Sequence, residues 1–440
     1  MKLFYFLITL IFLNNCSFDN KSGIWNNDNK LDEKDDKIFK EFKSISSTNE
    51  KFYQIVNLDK EFEFEKQNLI KNFEWKDIFY GKNNNLGNFK YNNNNQLIFK
   101  SKKLTKHKIN EHILFDKNNI IASDIKGNLI IFSINKNKQI SKFNFYQKKF
   151  KKIKKNLNLI IENNTVYISD NLGFIYAFDY LSNKVLWAKN YKIPFSSNIK
   201  ISKNKLILAN QNNTLFFINK KNGEILKSIP TEETTIKNNF MNNLAVDGDN
   251  VIFLNTYGSL YALNITNMQI KWFINLNESL NINPSNLFIS NQLIIRDNRV
   301  YVPANSNLYV LDLSFGTNIY KKNFSSIVRP IVLTNVFYTI DNNLLIATEI
   351  NSGKIVFSYD INQKISERLK IKKKKVQFKS VMLLNDKIFI FLKNSYIVKF
   401  KINGEIYEIT KLPQKINSQP IIIDNSIIFL DKSNRVSIVD

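Results

Sequence analysis

The sequence predicts an all-β fold, an eight-bladed β-propeller built from four-stranded blades. Three observations predict it: a segment that returns about every 44 residues, a turn residue at a fixed place in each copy, and a last copy that stops one strand short. The clearest copy runs from Val166 to Asp179. The other copies begin at Ile120, Leu206, Val251, Val300, Val336, Ile388 and Ile427.

Each copy reads as an apolar strand, a tight turn, a second apolar strand and a polar residue. The turn needs a positive φ angle, which Gly adopts freely and Asn tolerates. The residues at this place are Gly127, Gly173, Asn213, Gly258, Asn343, Ser395 and Asn434, and the shorter copy at Val300 offers Asn307. We therefore expect Gly127, Gly173 and Gly258 to serve the blade structure.

Two further strands complete each unit. A second turn, such as 222–224 or 352–354, leads into another short strand, and an apolar stretch such as 157–161 precedes the copy. Four strands make one blade. Trp187 and Trp272 stand 21 residues into their copies, where we expect a residue that locks adjacent blades; an ordinary buried aromatic is the alternative.

The chain ends predict how the ring closes. The last copy, from Ile427 to Asp440, lacks a fourth strand, and the segment 96–100 reads like the strand around Trp187, with Phe99 in the place of the Trp. We expect this N-terminal strand to complete the eighth blade, because closure removes an exposed sheet edge.

The N-terminus predicts export. Lys2 precedes an apolar run from Leu3 to Leu13, which is too short for a transmembrane helix and typical of a signal peptide. The only cysteine, Cys16, follows at once, and this arrangement resembles a bacterial lipoprotein signal in which that thiol is acylated. Asn14 and Asn15 depart from the small residues usual there, so a plain signal peptide cut nearby is the alternative.

Composition divides the chain into three parts. Residues 1–15 are the predicted lipoprotein-type signal peptide, 16–87 a partly disordered tether rich in Asn, Asp, Lys and Glu, and 88–440 the propeller. Within the tether, 52–64 is expected to form short helices or to pack on the ring, and Trp75 and Tyr80 mark where ordered structure resumes. No later segment is long and apolar enough to span a membrane.

The net charge of +25 concentrates in two tracts, 148–155 and 370–375, which fall between repeat copies. We interpret them as solvated loops in preference to contacts with acidic lipid or protein. An exported chain rarely meets nucleic acid, so no nucleic-acid partner is expected.

The residues do not point to catalysis. No nucleophile elbow, phosphate-binding glycine loop or metal-ligand cluster is present in the sequence, and no cofactor or metal is expected. We expect His107 and His112 to be surface residues; a metal-binding pair is the alternative. Asp124, Asp170 and Asp179 recur in the repeat frame, which favours hydrogen bonding at turns over acid–base work.

The repeats Leu-Gly-Phe-Ile-Tyr-Ala-Phe-Asp (172–179) and Tyr-Gly-Ser-Leu-Tyr-Ala-Leu-Asn (257–264) resemble those of pyrroloquinoline-quinone (PQQ) enzymes. The same repeat occurs in the non-enzymatic BamB-like lipoprotein of the outer-membrane β-barrel assembly machinery. The resemblance covers about 95–440 and is specific for the fold, but it separates the two functions poorly. Such dehydrogenases need a general base, a calcium site and often an adjacent cysteine pair, and here Cys16 stands alone.

With its lipoprotein signal, tether and single ring, the chain has the architecture of the BamB-like family. The resemblance implies a non-catalytic scaffold, anchored by lipid to the periplasmic face of the outer membrane and working as a monomer within a complex. Its partners would be the periplasmic domains of the barrel-inserting outer-membrane protein and unfolded outer-membrane proteins. A PQQ-dependent periplasmic dehydrogenase and a generic envelope adaptor remain the alternatives.

Docking in this family uses loops on one face of the ring. The loop 191–198 is one candidate, with Pro194 and Phe195 as partner-binding residues and Phe195 as an exposed anchor, because interfaces favour aromatic residues. The alternative is that Phe195 packs inside the ring.

Overall fold

The computed structural model describes residues 17–18, 25–26, 51–233, 241–277, 288–304 and 306–440. The chain divides into two compact units, Met1–Glu50 and Lys51–Asp440. In the first unit, β1 (Ser17–Phe18) pairs antiparallel with β2 (Trp25–Asn26). Cys16 and the predicted signal peptide lie outside the described residues. No helix within the described residues has the length and apolar character needed to cross a membrane.

The second unit contains eight sheets that form the blades. Three short strands precede the first blade: β3 (Leu69–Ile70), β4 (Asn88–Phe89) and β5 (Leu97–Lys100). Blade 1 comprises β6 (Leu114–Asp116), β7 (Asn119–Ser123), β8 (Asn128–Ser133) and β9 (Lys138–Asn144). Blade 2 comprises β10 (Leu157–Glu162), β11 (Thr165–Asp170), β12 (Phe174–Asp179) and β13 (Lys184–Asn190), and a short 3-10 helix (Lys148–Phe150) precedes it.

Blades 3 to 5 repeat the same antiparallel meander. Blade 3 comprises β14 (Lys200–Ser202), β15 (Lys205–Ala209), β16 (Leu215–Asn219) and β17 (Ile225–Ile229). Blade 4 comprises β18 (Asn243–Asp247), β19 (Asn250–Leu254), β20 (Ser259–Asn264) and β21 (Ile270–Asn275). Blade 5 comprises β22 (Ile294–Arg296), β23 (Arg299–Ala304), β24 (Asn307–Asp312) and β25 (Asn318–Lys322).

Blades 6 to 8 complete the set, and blade 7 is extended. Blade 6 comprises β26 (Ile331–Val332), β27 (Val336–Asp341), β28 (Leu344–Glu349) and β29 (Ile355–Asp360), and α1 (Ile361–Leu369) follows it. Blade 7 comprises β30 (Phe378–Leu384), β31 (Lys387–Leu392), β32 (Tyr396–Lys401) and β33 (Ile406–Lys411), with β4 and β3 added in parallel beside β30. Blade 8 comprises β34 (Ile421–Ile423), β35 (Ser426–Leu430) and β36 (Val436–Val439), followed by β5.

The position of a strand within its blade determines its burial. The first strands of neighbouring blades contact each other, as β6 does β10 and β14 does β18, so they lie on the inner side of the ring. The second and third strands are almost continuously buried, because both faces of each sheet pack against adjacent sheets. The fourth strand is mostly exposed, as in β9 and β13.

Ring closure is confirmed. β5 pairs antiparallel with β36, placing Phe99 opposite Ile438 and Lys100 opposite Ser437, so the N-terminal strand supplies the fourth strand of blade 8. The predicted all-β architecture of eight blades is likewise confirmed.

The turn residues follow the prediction with one correction. Positive φ angles occur at Gly127, Gly173, Asn213, Gly258, Ser395 and Asn434. In blade 6 the positive φ of +53° belongs to Asn342 and not to Asn343, because β27 and β28 are joined by a hairpin of only two residues. Asn307 is the first residue of β24.

Candidate functional site

A single stretch of chain runs once around the ring axis. We call residues 72–92 the circuit segment, because it contacts the inner side of every blade in order. Its successive partners are Ile422 in blade 8, Phe115 in blade 1, Ile160 in blade 2, Lys200 in blade 3, Val246 in blade 4, Ile295 in blade 5, Val332 in blade 6, Leu384 in blade 7 and Asn425 in blade 8.

Asparagine side chains explain why this polar stretch can lie inside the ring. Inner strands have one edge without a neighbouring strand, and their buried backbone groups need partners. Asn84 Nδ2 donates to the carbonyl oxygens of Leu244 and Leu293, each at 2.9 Å, and so joins blades 4 and 5. Asn72 Nδ2 donates to the carbonyl of Ile422 at 2.7 Å. This part of the predicted tether therefore packs within the ring.

A buried ion pair fixes the circuit segment to blade 3. Lys200 Nζ lies 2.7 Å from Asp77 Oδ2 and also donates to the carbonyl of Gly81 at 2.8 Å. The Lys200 side chain is fully buried. Burial lowers the pKa of Lys200, and the neighbouring Asp77 carboxylate opposes that shift.

The circuit segment lines one side of a cavity of about 220 Å³, which we call the axial cavity. Its walls come from residues at or just before the inner strands of blades 1, 4, 5, 6 and 8 and from the first half of β30. Trp75, Ile78 and Phe79 of the circuit segment line it together with Met382. Its charged and polar lining includes Glu111, His112, Arg329, Lys379 and Gln419.

The carboxylate of the axial cavity is already paired. Glu111 Oε1 lies 2.6 Å from Lys379 Nζ and accepts a hydrogen bond from Gln419 Nε2 at 3.0 Å. Burial tends to raise the pKa of Glu111, but the contact with Lys379 outweighs it and lowers the pKa below its usual value.

Among the described residues, His112 and Arg329, which also line the cavity, have no ion pair like that of Glu111 with Lys379. Burial lowers the pKa of His112 to about 4, so its ring is neutral at pH 7, and it packs edge-on against Phe79 at 5.5 Å. Arg329 Nη1 donates to the carbonyl of Phe79 at 2.7 Å. Burial lowers the pKa of Arg329 to about 10, which still leaves it charged at neutral pH.

The structure does not bring the two histidines together as a metal site. Throughout the described residues, no group of three or more His, Cys, Asp or Glu side chains could hold a metal ion. The recurring aspartates serve turns: Asp124 Oδ1 accepts from the backbone N–H groups of Lys126 and Asn128, and Asp170 Oδ1 from those of Leu172 and Phe174.

Both singled-out tryptophans bridge neighbouring blades. Trp187 Nε1 donates to the carbonyl of Lys220 at 3.0 Å, which joins blade 2 to blade 3. Its ring lies against Gly223, where an added Cβ would come within 2.7 Å of the indole. Trp272 Nε1 donates in the same way to the carbonyl of Leu313 at 3.0 Å, between blades 4 and 5.

Phe195 corrects one prediction. The expected exposed anchor is only 4% exposed, so its predicted exposure is wrong. The loop must carry the chain from the outer strand of blade 2 to the inner strand of blade 3, and this path turns Phe195 inward against Tyr191 and Phe216. The carbonyl of Pro194 accepts from Gln211 N–H at 2.7 Å, and the loop also packs on Gly173, where a Cβ would lie 2.9 Å from the carbonyl oxygen of Ile193.

The two lysine tracts differ. Lys370 and residues 371–375 are exposed, although Lys373 pairs with Asp360 at 2.7 Å. In the first tract, Lys155 is only 2% exposed and lies over the ring of Tyr146 at 5.0 Å. Only the second tract is thus exposed throughout, as expected for a solvated loop.

The outer edge of blade 6 is covered by the chain itself. Residues 52–59 run antiparallel to β29: Val56 N–H donates to the carbonyl of Ser358 at 3.1 Å, Ser358 N–H donates back at 2.9 Å, and Asp59 N–H donates to Val356 at 3.0 Å. We call residues 52–59 the strap. Under it, β29 is mostly buried, unlike the other fourth strands.

The fourth strands of blades 2, 3 and 4 expose apolar side chains instead. In the described residues each of these strands has a strand partner on one side only. Leu186 is 56% exposed and Phe273 64% exposed, and Ile225 and Ile270 are also exposed. Among the described residues, one blade edge is therefore covered by the strap and the edges of blades 2, 3 and 4 have no covering strand.

Eight blades, each built on a four-stranded antiparallel meander with this repeat, define a PQQ-like β-propeller. A family model described as "Outer membrane protein assembly factor BamB" matches residues 126–359. The chain therefore belongs to the BamB family of PQQ-like propellers.

Solved structures agree on the fold. BamB from Moraxella catarrhalis is 13% identical, with a TM-score of 0.61, over 78% of this chain and 99% of that one. Quinohemoprotein alcohol dehydrogenase from Comamonas testosteroni is 10% identical, with a TM-score of 0.63, over 83% and 80%. A europium-containing methanol dehydrogenase is 10% identical, with a TM-score of 0.62, over 83% and 89%. No curated protein sequence matches the chain.

Proposed function

We propose that this protein is a non-catalytic scaffold that assists assembly of β-barrel proteins into the outer membrane. It is anchored by lipid at Cys16 on the periplasmic face. It docks on the periplasmic domains of the barrel-inserting protein and holds unfolded outer-membrane proteins near the insertion site. Membership of the BamB family supports this role, but the match to dehydrogenases of the same fold requires an argument from the site itself.

The strap is the observation that carries the proposal. It shows that the outer edge of a blade in this protein accepts an extended segment through backbone hydrogen bonds, with Phe52 and Leu58 of that segment packed on the hydrophobic core. Strand addition of this kind recognises any extended chain through its backbone and selects side chains by pockets at alternate positions. An unfolded barrel strand, with alternating apolar residues, fits the free edges of blades 2, 3 and 4.

The axial cavity argues against the dehydrogenase alternative. Calcium requires six to eight oxygen ligands. Glu111 is the one carboxylate among the described lining residues, and it is already bound to Lys379. Asp77, in the circuit segment beside the cavity, is bound to Lys200. These residues do not fit a calcium–quinone centre, since ligating the metal would take both carboxylates from their lysines and leave the buried ammonium of Lys200 unpaired.

The test is capture of partners from gently solubilised envelopes with the full-length protein, followed by mass spectrometry. We expect the barrel-inserting protein and outer-membrane proteins to co-purify. Phe273→Glu puts a charge on the free edge of blade 4 and should reduce capture of unfolded outer-membrane proteins. Phe315→Glu is the matched control, because Phe315 is 76% exposed but lies outside the strands, in the turn before β25.

Two outcomes would contradict the proposal. A preparation that retains PQQ or a metal and lacks the barrel-inserting protein would favour the dehydrogenase. Recovery of unrelated envelope proteins alone would favour a generic adaptor. Equal capture by the Phe273→Glu and Phe315→Glu variants would remove the blade edge from the mechanism.

A further inference from the structure

The axial cavity has a chemical character that the scaffold role does not use. Its volume of about 220 Å³ is roughly seven times the share of liquid volume that one water occupies. The walls combine the aromatic rings of Trp75 and Phe79 and the Met382 side chain with a few convergent polar groups. Such a combination is typical of a small-molecule site, in which apolar walls hold the body and polar groups fix the orientation.

The cationic side chains in and beside the cavity differ in whether a carboxylate is paired with them. Lys379 is bound to Glu111 at 2.6 Å and Lys200 to Asp77 at 2.7 Å. Arg329 has no carboxylate within ion-pair distance among the residues that the structure describes. Its hydrogen bonds to the carbonyls of Phe79 and Asn84 both use Nη1. One positive charge is thus left without an opposite charge in direct contact, and one edge of the guanidinium remains for a ligand.

His112 supplies a second free group. Within the described part of the chain its ring nitrogens form no hydrogen bond, although the residue lines the cavity beside Phe79. A neutral imidazole has one donor and one acceptor nitrogen, so it can complement the oxygen atoms of an anion without adding charge.

We propose that the axial cavity binds a small organic carboxylate, with its carboxylate on Arg329 and its apolar body against Trp75 and Phe79. A planar guanidinium offers two parallel N–H donors, which match the two oxygens of a carboxylate. One unpaired cation balances a single negative charge, which favours a monocarboxylate over a polyanion. The aromatic walls favour an organic anion over an inorganic one, since they provide no hydrogen bonds to a hydrated ion.

The test of this site is the binding of 3-phenylpropionate to the full-length protein, measured by calorimetry and by ligand-observed NMR. We expect saturable binding, with at least tenfold weaker binding of the neutral amide of the same acid. Inorganic phosphate should not compete at equal concentration. Arg329→Gln should weaken binding tenfold or more, whereas Arg299→Gln, on the blade surface beside Ile350 and Asn351, should leave it unchanged.

A second variant keeps the test decisive if Arg329→Gln does not fold. Ile327 lines the cavity but is 49% exposed, so Ile327→Trp fills the opening without removing a core residue. It should abolish binding while Arg329 stays in place. Absence of saturable binding at millimolar carboxylate would overturn the proposal. So would equal binding of the amide or of phosphate, or binding unchanged by both variants.

Discussion

The ammonium group of Lys200 lies 2.7 Å from the carboxylate of Asp77, 123 residues earlier in the chain, and both side chains are buried. Removing one partner of such a pair leaves a charge without compensation in the protein interior. Asp77→Asn or Lys200→Met alone should therefore lower the free energy of unfolding by about 3–5 kcal/mol.

Urea denaturation of the variants checks this prediction. The double variant Asp77→Asn, Lys200→Met should recover much of the loss, because no unpaired charge remains. Lys401→Met is the matched control: its partner Glu405 also lies at 2.7 Å, but both side chains are exposed, so the change should stay within about 1 kcal/mol. Equal effects at both sites would show that burial is not the cause.

Asn84 bridges blades 4 and 5 through its two donor hydrogens. Asn84→Ala should cost about 1–3 kcal/mol, since the buried carbonyl of Leu293 loses its partner whereas that of Leu244 keeps the bond from Asn198 Nδ2. Asn135→Ala, at an exposed position, is the comparison and should change little. Thermal or urea unfolding measures both, and a similar small effect for the two variants would argue against the bridging role.

Trp187 should contribute to the free energy of unfolding in two separable ways, through its hydrogen bond and through the packing of its ring. Trp187→Phe removes the hydrogen bond to Lys220 and keeps much of the ring contact, at about 1 kcal/mol. Trp187→Ala should cost about 3 kcal/mol, the lower end for a large aromatic, because the ring is only partly buried. Gly223→Ala should destabilise the same junction from the other side, because its Cβ would meet the indole.

His112 makes stability depend on pH in a defined window. Its pKa is about 4 in the folded protein and about 6.5 in an unfolded chain, so between these values the unfolded state binds more protons. Stability should therefore fall as pH decreases from about 6.5 to 4, by about 1–3 kcal/mol after allowance for its partial exposure. His112→Gln should flatten this window in urea titrations at several pH values; an unchanged slope would assign it to other groups.

The strap should be removable without unfolding the ring. Val56→Pro deletes the N–H that bonds to Ser358, whereas Val56→Ala keeps it. We expect faster amide exchange in β29 for the proline variant alone, measured by hydrogen–deuterium exchange. If β29 stays equally protected, its edge does not depend on the strap.

The repeats made the ring predictable from sequence because hairpin turns and buried strands carry local signals. That the strand around Phe99 completes the eighth blade followed from counting strands, and the structure confirms it. The circuit segment was not predictable in the same way. Asn84 acts through side-chain bonds to residues 160 and 209 positions away, which leave no periodic pattern, and its Asn-rich surroundings have the composition of a flexible linker. The aromatic residues Trp75, Phe79 and Tyr80 were the available signal that this stretch is ordered.

The candidate site shows a similar division. Sequence spacing located Trp187 and Trp272, because the repeat frame aligns them. It could not place Arg329, His112 and Lys379 around one cavity, because they belong to different blades and meet only when the ring is complete. The predicted exposure of Phe195 was wrong for a related reason. A loop aromatic faces inward or outward according to the path of the chain, which its neighbours in sequence do not determine.

The circuit segment also sets an order of events during folding. It emerges from the ribosome before any blade that it contacts, yet Asn72 bonds to Ile422, 350 residues later. Contacts of such long sequence separation are expected to form slowly. Blades can assemble with their neighbours as they appear, but the centre of the ring cannot be completed until the last blade has arrived. A chain truncated near its C-terminus would therefore lose the closing strand pair and the ends of the circuit together, so we expect no stable seven-bladed ring from it.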